Sequence, residues 1–244
     1  MKNLIVANWK MNPASRKEAK SLFDKIKKGV KGAKAEVVVC PPFVYLNLFK
    51  GLALGGQNVH FEEKGAFTGE ISFTMLKDLK VEYVIIGHSE RRKYFSETDE
   101  SINKKIRKVL SAGLKPILCI GETKEEWEQN KKSEILEKQI TKDLKNISRE
   151  DARKIAIAYE PVWAIGTGNN CSIDETMSSI LLIRKIISKL YNRETADNIR
   201  ILYGGSVKSE NSGAYIKDAR ANGLLVGGLS LNSEEFVKIA KSAD

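Results

Sequence analysis

A single carboxylate, Glu160, ends an apolar run from Ile155 to Tyr159, and Pro161 follows at once. The alternation of Ile, Ala and Tyr before it reads as a buried strand. Pro161 has no N–H to continue a ladder, so Glu160 falls at the strand's end. Val162-Trp163-Ala164-Ile165 and Gly166-Thr167-Gly168 then read as a stiff apolar flap with a permissive far end. A base beneath a flap that excludes water is what proton abstraction at carbon requires. On these residues alone, an ordinary strand end with a solvated Glu is an equal alternative.

Other chemistry-bearing residues also follow short apolar runs. Asn8 and Lys10 close the first, and His88 closes another within Ile86-Gly87-His88-Ser89-Glu90-Arg91-Arg92. A lone histidine reads first as a buried, hydrogen-bonded side chain. A short helix starting at Ser89 would favour neutral imidazole, whose N–H could meet a developing oxyanion. Lys10 is either a surface lysine or, just past a strand, a cation directed at a substrate anion. Gly204-Gly205 and Gly227-Gly228 let backbone N–H groups come close to a ligand, and N–H groups at helix starts bind phosphate. Each pair alone fits a tight turn; both after late strands of a barrel point to a phosphate site.

Eight strand-like runs would position these residues: Leu4–Trp9, Glu36–Cys40, a weaker Leu52–Val59, Val81–Gly87, Leu114–Gly121, Lys154–Glu160, Ile199–Gly204 and Gly223–Gly227. Helical patterns lie between most of them. Ala14 to Lys28 puts Leu22, Phe23 and Ile26 on one side. Ser96 reads as a helix cap three residues before Asp99, with Gly113 as that helix's stop. Further helices open at Ile173 and at Ser233. Alternating strands and helices require a parallel sheet with right-handed crossovers. Eight units of about 30 residues fit one closed (β/α)8 barrel over residues 1–244 better than an open doubly wound sheet.

Bulk properties narrow the function. Hydrophobic residues make up 42% and charged residues 30% of the 244, a globular composition. No apolar run approaches a membrane span, and the polar-interrupted start does not read as a signal peptide, so a cytoplasmic location is expected. Cys40, Cys119 and Cys171 are widely spaced, with Cys119 inside an apolar strand, and only two histidines are present. Neither a metal site nor a disulfide framework is indicated. The net charge of +10 comes from lysines spread along helices. Solvated helix faces explain it better than a specific nucleic-acid surface, since no arginine-rich arm or aromatic-stacking motif occurs.

Seven segments, in order, resemble the triosephosphate isomerase family over essentially the full length. They are Ala7 to Asn12, Gly65 to Glu70, Gly87 to Arg92, Cys119 to Glu122, Tyr159 to Gly168, Tyr203 to Val207 and Val226 to Gly228. The resemblance implies interconversion of dihydroxyacetone phosphate and D-glyceraldehyde 3-phosphate, with no cofactor and no metal. By it, Glu160 is the base, His88 the neutral electrophile, Lys10 a positive charge and Asn8 a further hydrogen bond to substrate. Gly166, Ser206, Gly227 and Gly228 would hold the phosphate through backbone groups, with Glu90 in the supporting network. It also implies a homodimer in which the loop around Thr68 enters the neighbour's site, which suits the apolar tip at Phe67. Another phosphate-binding barrel isomerase or epimerase is the alternative. Three positions depart from the family pattern. Asn169-Asn170-Cys171 stands at the flap's second hinge, Leu229 follows Gly228, and Trp127 replaces a common arginine.

Overall fold

A computed structural model describes residues 1–165 and 170–243. Eight parallel strands close into a barrel in sequence order. They are β1 (Leu4–Asn8), β2 (Glu36–Cys40), β3 (Ala53–Gly56), β4 (Tyr83–Ile86), β5 (Lys115–Ile120), β6 (Ala156–Tyr159), β7 (Arg200–Tyr203) and β8 (Gly223–Val226). β1 pairs with both β2 and β8, and this double pairing seals the ring. The helices that matter for the site are α3 (Ser89–Tyr94), α4 (Asp99–Ser111), α5 (Lys124–Glu128), α6 (Lys132–Asp143), α8 (Ile173–Leu190) and α10 (Ser209–Lys217). Between the last two of these, α9 (Arg193–Asn198) precedes β7.

The period of two along each strand divides the apolar residues into two cores. Leu4, Val6, Val38, Cys40, Tyr83, Ile85, Ile117, Cys119, Ala156, Ala158, Leu202 and Leu225 form one cluster inside the barrel. Their neighbours, such as Ile5, Ala7, Val84, Ile86, Ile157 and Tyr159, join the larger cluster beneath the helices. Phe23 and Ile26 of α1 (Arg16–Gly29) are buried in that outer core. Each contributes about 2–3 kcal/mol by leaving water. The third strand, Ala53–Gly56, is shorter than its apolar run. A Cβ on Gly55 would lie 2.3 Å from Cys40 Sγ, so glycine makes room for the inward thiol.

The inward phase explains where the polar residues fall. It reads Leu4, Val6, Asn8 on β1 and, continued one step past the strand end, Ala156, Ala158, Glu160 on β6. At the opposite mouth it reaches Glu36, Tyr83 and Arg200. There Tyr83 Oη donates to Glu36 Oε1 at 2.5 Å, and Arg200 donates to Glu36 Oε2 at 2.7 Å and to Tyr83 Oη at 2.9 Å. Burial pushes the Glu36 carboxyl up, but these donors outweigh it and hold it below the ordinary carboxylate value. This polar network ties β2, β4 and β7 together at the lower end.

One helix start differs from the sequence expectation. Thr98, not Ser96, caps α4, in a reciprocal pair with Ser101. Ser96 lies at φ 52°, outside the backbone region a cap adopts. Asp99 is then free as the first helical residue to bind Arg92 at 2.6 Å.

Candidate active site

A cavity of about 400 Å³ opens at the C-terminal ends of the strands. Asn8, Lys10, His88, Glu160, Ser206, Gly227 and Gly228 all line it, although they come from five different strand ends. Gly166 lies outside the described residues.

Glu160 is held on every side. Its N–H donates to Ile120 O at 2.7 Å, which adds one rung beyond β6. A Cβ on Gly121 would lie 1.7 Å from the Glu160 carbonyl oxygen, so only glycine lets the two strand ends approach. The side chain is 2% exposed. Oε2 accepts the Ser89 N–H at 3.0 Å, and Oε1 stands 3.2 Å from His88 Nε2. Cys119, expected to be plain core, sits beneath this carboxylate. Burial, reinforced by the Glu160 charge, pushes its thiol well up, so it stays neutral.

His88 is the N-cap of α3, and its Nδ1 accepts the Glu90 N–H at 3.2 Å. A nitrogen that accepts an N–H carries no proton, so the ring proton is on Nε2 and faces Glu160. The 3.7 Å approach of Nδ1 to Glu90 Oε2 is therefore not an ion pair. Gly87, at φ 74°, takes the chain through a left-handed turn that brings His88 over the barrel mouth.

That turn is pinned from outside. Glu97 Oε2 accepts the Gly87 N–H at 3.1 Å, while Oε1 binds Arg91 at 3.1 Å and Lys105. Burial raises the Glu97 carboxyl, but Lys105 and Arg91 outweigh it and hold it below its ordinary value. A lowered folded pKa adds stability above the unfolded value, and that stability is lost as pH falls through the folded one. The protein should therefore lose part of its urea resistance on acidification from about pH 5 to about pH 3. Glu97→Gln should cost about 3 kcal/mol at neutral pH, because two cations lose their partner, and should show a shallower acid loss. Equal acid slopes in the two proteins would contradict this role.

Lys10 adopts φ 54°, a strained region for a residue with a side chain. Three neighbours hold it there. Asn8 Oδ1 accepts its N–H at 3.0 Å, Gln57 donates to its carbonyl at 2.9 Å, and its Nζ lies 2.5 Å from Glu90 Oε1. The ammonium stem runs along the rim beside Gly227, where a Cβ would come within 3.3 Å of Lys10 Cε. Backbone strain backed by this many contacts belongs to sites that need a fixed charge.

The far wall is built of backbone. Ser206 Oγ donates to Ala164 O at 2.7 Å, tying the segment after Glu160 to the start of the β7–α10 loop. Gly228 begins a short 3-10 turn to Leu231, exposed and with open space around its Cα. Leu229 forms part of the cavity wall itself, rather than sitting only behind the glycine loop. Thr68 is exposed at a loop tip that does not line this cavity, and the Phe67 ring rests 4.4 Å from His60. Among the described residues no cluster of His, Cys, Asp or Glu could hold a metal. The sequence reading missed Ser89, Gln57 and Glu97. Gln57 carried a usable signal, being a polar residue just past a strand end, as Glu160 is. Ser89 acts through its N–H, which no side-chain pattern reveals.

A carboxylate facing an uncharged imidazole N–H, a fixed ammonium and an amide-lined wall make this an isomerase-type site for a small anionic carbonyl compound. It sits on a (β/α)8 barrel, at the end where such barrels carry their chemistry. Comparison with known proteins agrees. The triosephosphate isomerase family model matches residues 3–243. The triosephosphate isomerase of Alkaliphilus oremlandii is 47% identical, with 98% of each chain covered. Those of Caldanaerobacter subterraneus subsp. tengcongensis and Clostridium perfringens are 49% and 46% identical over 97% of each chain. The chain belongs to the triosephosphate isomerase family.

Proposed function

We infer that the chain interconverts dihydroxyacetone phosphate and D-glyceraldehyde 3-phosphate, and that Glu160 and His88 are the pair that moves the protons. The observation that carries this is the 3.2 Å approach of Glu160 Oε1 to His88 Nε2 at the mouth of the barrel. A triose phosphate entering between them would take the imidazole N–H at its carbonyl oxygen and the carboxylate at the adjacent carbon. Glu160 takes the carbon-bound proton, and the developing enediolate oxygen is met by His88 Nε2–H. Glu160 then returns the proton to the neighbouring carbon. Lys10 and Asn8 hold the anion against the rim. Gly166, Ser206, Gly227 and Gly228 receive the phosphate through backbone N–H groups, and Glu90 orients Lys10. Two sugar phosphates of glycolysis and gluconeogenesis as substrate and product make the cytoplasm the expected place of work.

The protein should isomerise glyceraldehyde 3-phosphate in a coupled assay after treatment with chelator. In deuterium oxide it should place deuterium on the carbon that Glu160 serves. An absence of turnover, or exchange without turnover at a different carbon, would overturn the reading. Lys10→Met should raise KM by about 10- to 100-fold, the loss of a charged contact to phosphate. An unchanged KM would remove Lys10 from substrate binding.

We further propose a homodimer, joined through the loop around Thr68. Support comes from large apolar side chains left exposed on the surface. Phe67 is 44% and Met11 94% exposed, and Tyr94 and Phe95 at the end of α3 are also exposed. Met11 follows Lys10 directly, so a partner there would cover the Lys10–Glu90 pair.

A further inference from the structure

Trp127 lines no part of the substrate cavity, yet it touches both described ends of the β6–α8 connection. It stands on α5, whose first turn is locked by a reciprocal Thr123–Glu126 cap. Its ring packs on Trp163, with centroids 4.9 Å apart and planes tilted by 30°. Its Nε1–H donates to Glu175 Oε1 at 3.2 Å, in the first turn of α8. Lys132 fixes the same Glu175 oxygen at 2.8 Å, so the anchor is rigid.

Trp163 lies three residues past Glu160, with the stiff Pro161 between them. Its indole N–H donates to Glu122 Oε1 at 3.0 Å, and the Tyr159 hydroxyl donates to the same oxygen at 2.9 Å. The residues after it reach the cavity. Ala164 O accepts the Ser206 hydroxyl and Ile165 forms cavity wall. In this arrangement Glu160 Oε2 accepts the Ser89 N–H, and Oε1 lies 3.2 Å from His88 Nε2. His88 Nε2–H is the donor that a substrate carbonyl needs. Productive binding must separate the pair, and only Pro161 and Val162 lie between Glu160 and Trp163. A contact that favours the resting arrangement lowers apparent affinity, because binding must work against it.

We propose that Trp127 is a positioning residue for the isomerisation: through Trp163 it holds the segment after Glu160 in its resting arrangement, weakening substrate binding and speeding release. The proposal rests on the assigned roles of Glu160 and His88. It differs from a plain packing role in sign, since a side chain that merely supported the fold would worsen binding when removed.

The test pairs kinetics with binding of glycerol 3-phosphate, which has the phosphate and carbon chain but no carbonyl. In Trp127→Ala, KM for dihydroxyacetone phosphate and Kd for glycerol 3-phosphate should fall by about 2- to 10-fold, the value of one aromatic pair. Trp127→Phe, which keeps a stacked ring, should restore most of the wild-type values. Stacked indoles couple excitonically, so the wild-type circular dichroism couplet should shrink when glycerol 3-phosphate binds and be missing in Trp127→Phe. If Trp127→Ala does not fold, Trp127→Leu carries the same expectation. A raised or unchanged Kd, or a couplet indifferent to the ligand, overturns the proposal. Failure of the underlying reading is separately visible as wild-type turnover in Glu160→Gln, since the Kd shift is read without turnover.

Discussion

Glu160→Asp should lower kcat by about 100- to 1,000-fold while leaving the fold intact, because one methylene moves the base by about 1 Å from its carbon. The structure makes this more than a generic expectation for a carboxylate. The backbone at Glu160 cannot shift to compensate: its N–H is bound to Ile120 O, and Gly121 packs against its carbonyl oxygen. On the other side, a Cβ at Gly204 would lie 3.0 Å from Glu160 Cγ, so that wall is close as well. The shortened side chain must therefore reach from a fixed Cα. Glu160→Gln removes the base without changing the reach, and should lose at least as much. Both variants should keep the wild-type far-ultraviolet spectrum and an unfolding free energy within about 1 kcal/mol of wild type, since each keeps a polar side chain at the same site. Coupled turnover and deuterium exchange at carbon should fall together. Turnover of Glu160→Asp at the wild-type rate would refute the base.

The sequence made the barrel and the location of its chemistry legible for the same reason. Parallel strands alternate with helices, and each strand's inward phase runs to its last residue or the one just beyond. Asn8 and Glu160 could be placed from that rule alone. The histidine could not, because Gly87 turns the chain out of phase before it, and the turn is specified by Glu97, in the loop between α3 and α4. Nor could the strain at Lys10 be foreseen, since it depends on Gln57 from another strand. The Ser96 cap failed on a local competition: Thr98 had a reciprocal partner in Ser101 and Ser96 had none. In the sequence Gly55 only weakened the third strand-like run and Gly121 only closed the fifth. They are glycines because a thiol and a carbonyl from other strands occupy the space a Cβ would need.

Phe67→Asp should convert the proposed dimer to monomers with turnover reduced at least about tenfold, as a buried charge without a partner costs several kcal/mol at an interface. The isolated chain shows why the monomer would suffer. The Lys10 and Glu90 side chains are 29% and 40% exposed, although they form the charged edge of an otherwise buried site. Water at that edge weakens the field Lys10 offers an anion. A partner loop seated over Met11, Tyr94 and Phe95 would exclude that water and restrain the strained Lys10 backbone. Phe67 is suited to seat it, being held at the tip by His60 and by close approach of its ring to Gly65. Sedimentation velocity and activity across a range of protein concentrations should fall together in the variant. The loss should appear mainly in kcat/KM, with Lys10→Met adding little to it in the monomer, because both changes weaken the same charge. A Phe67→Asp monomer with full turnover would show that the site is complete within one chain.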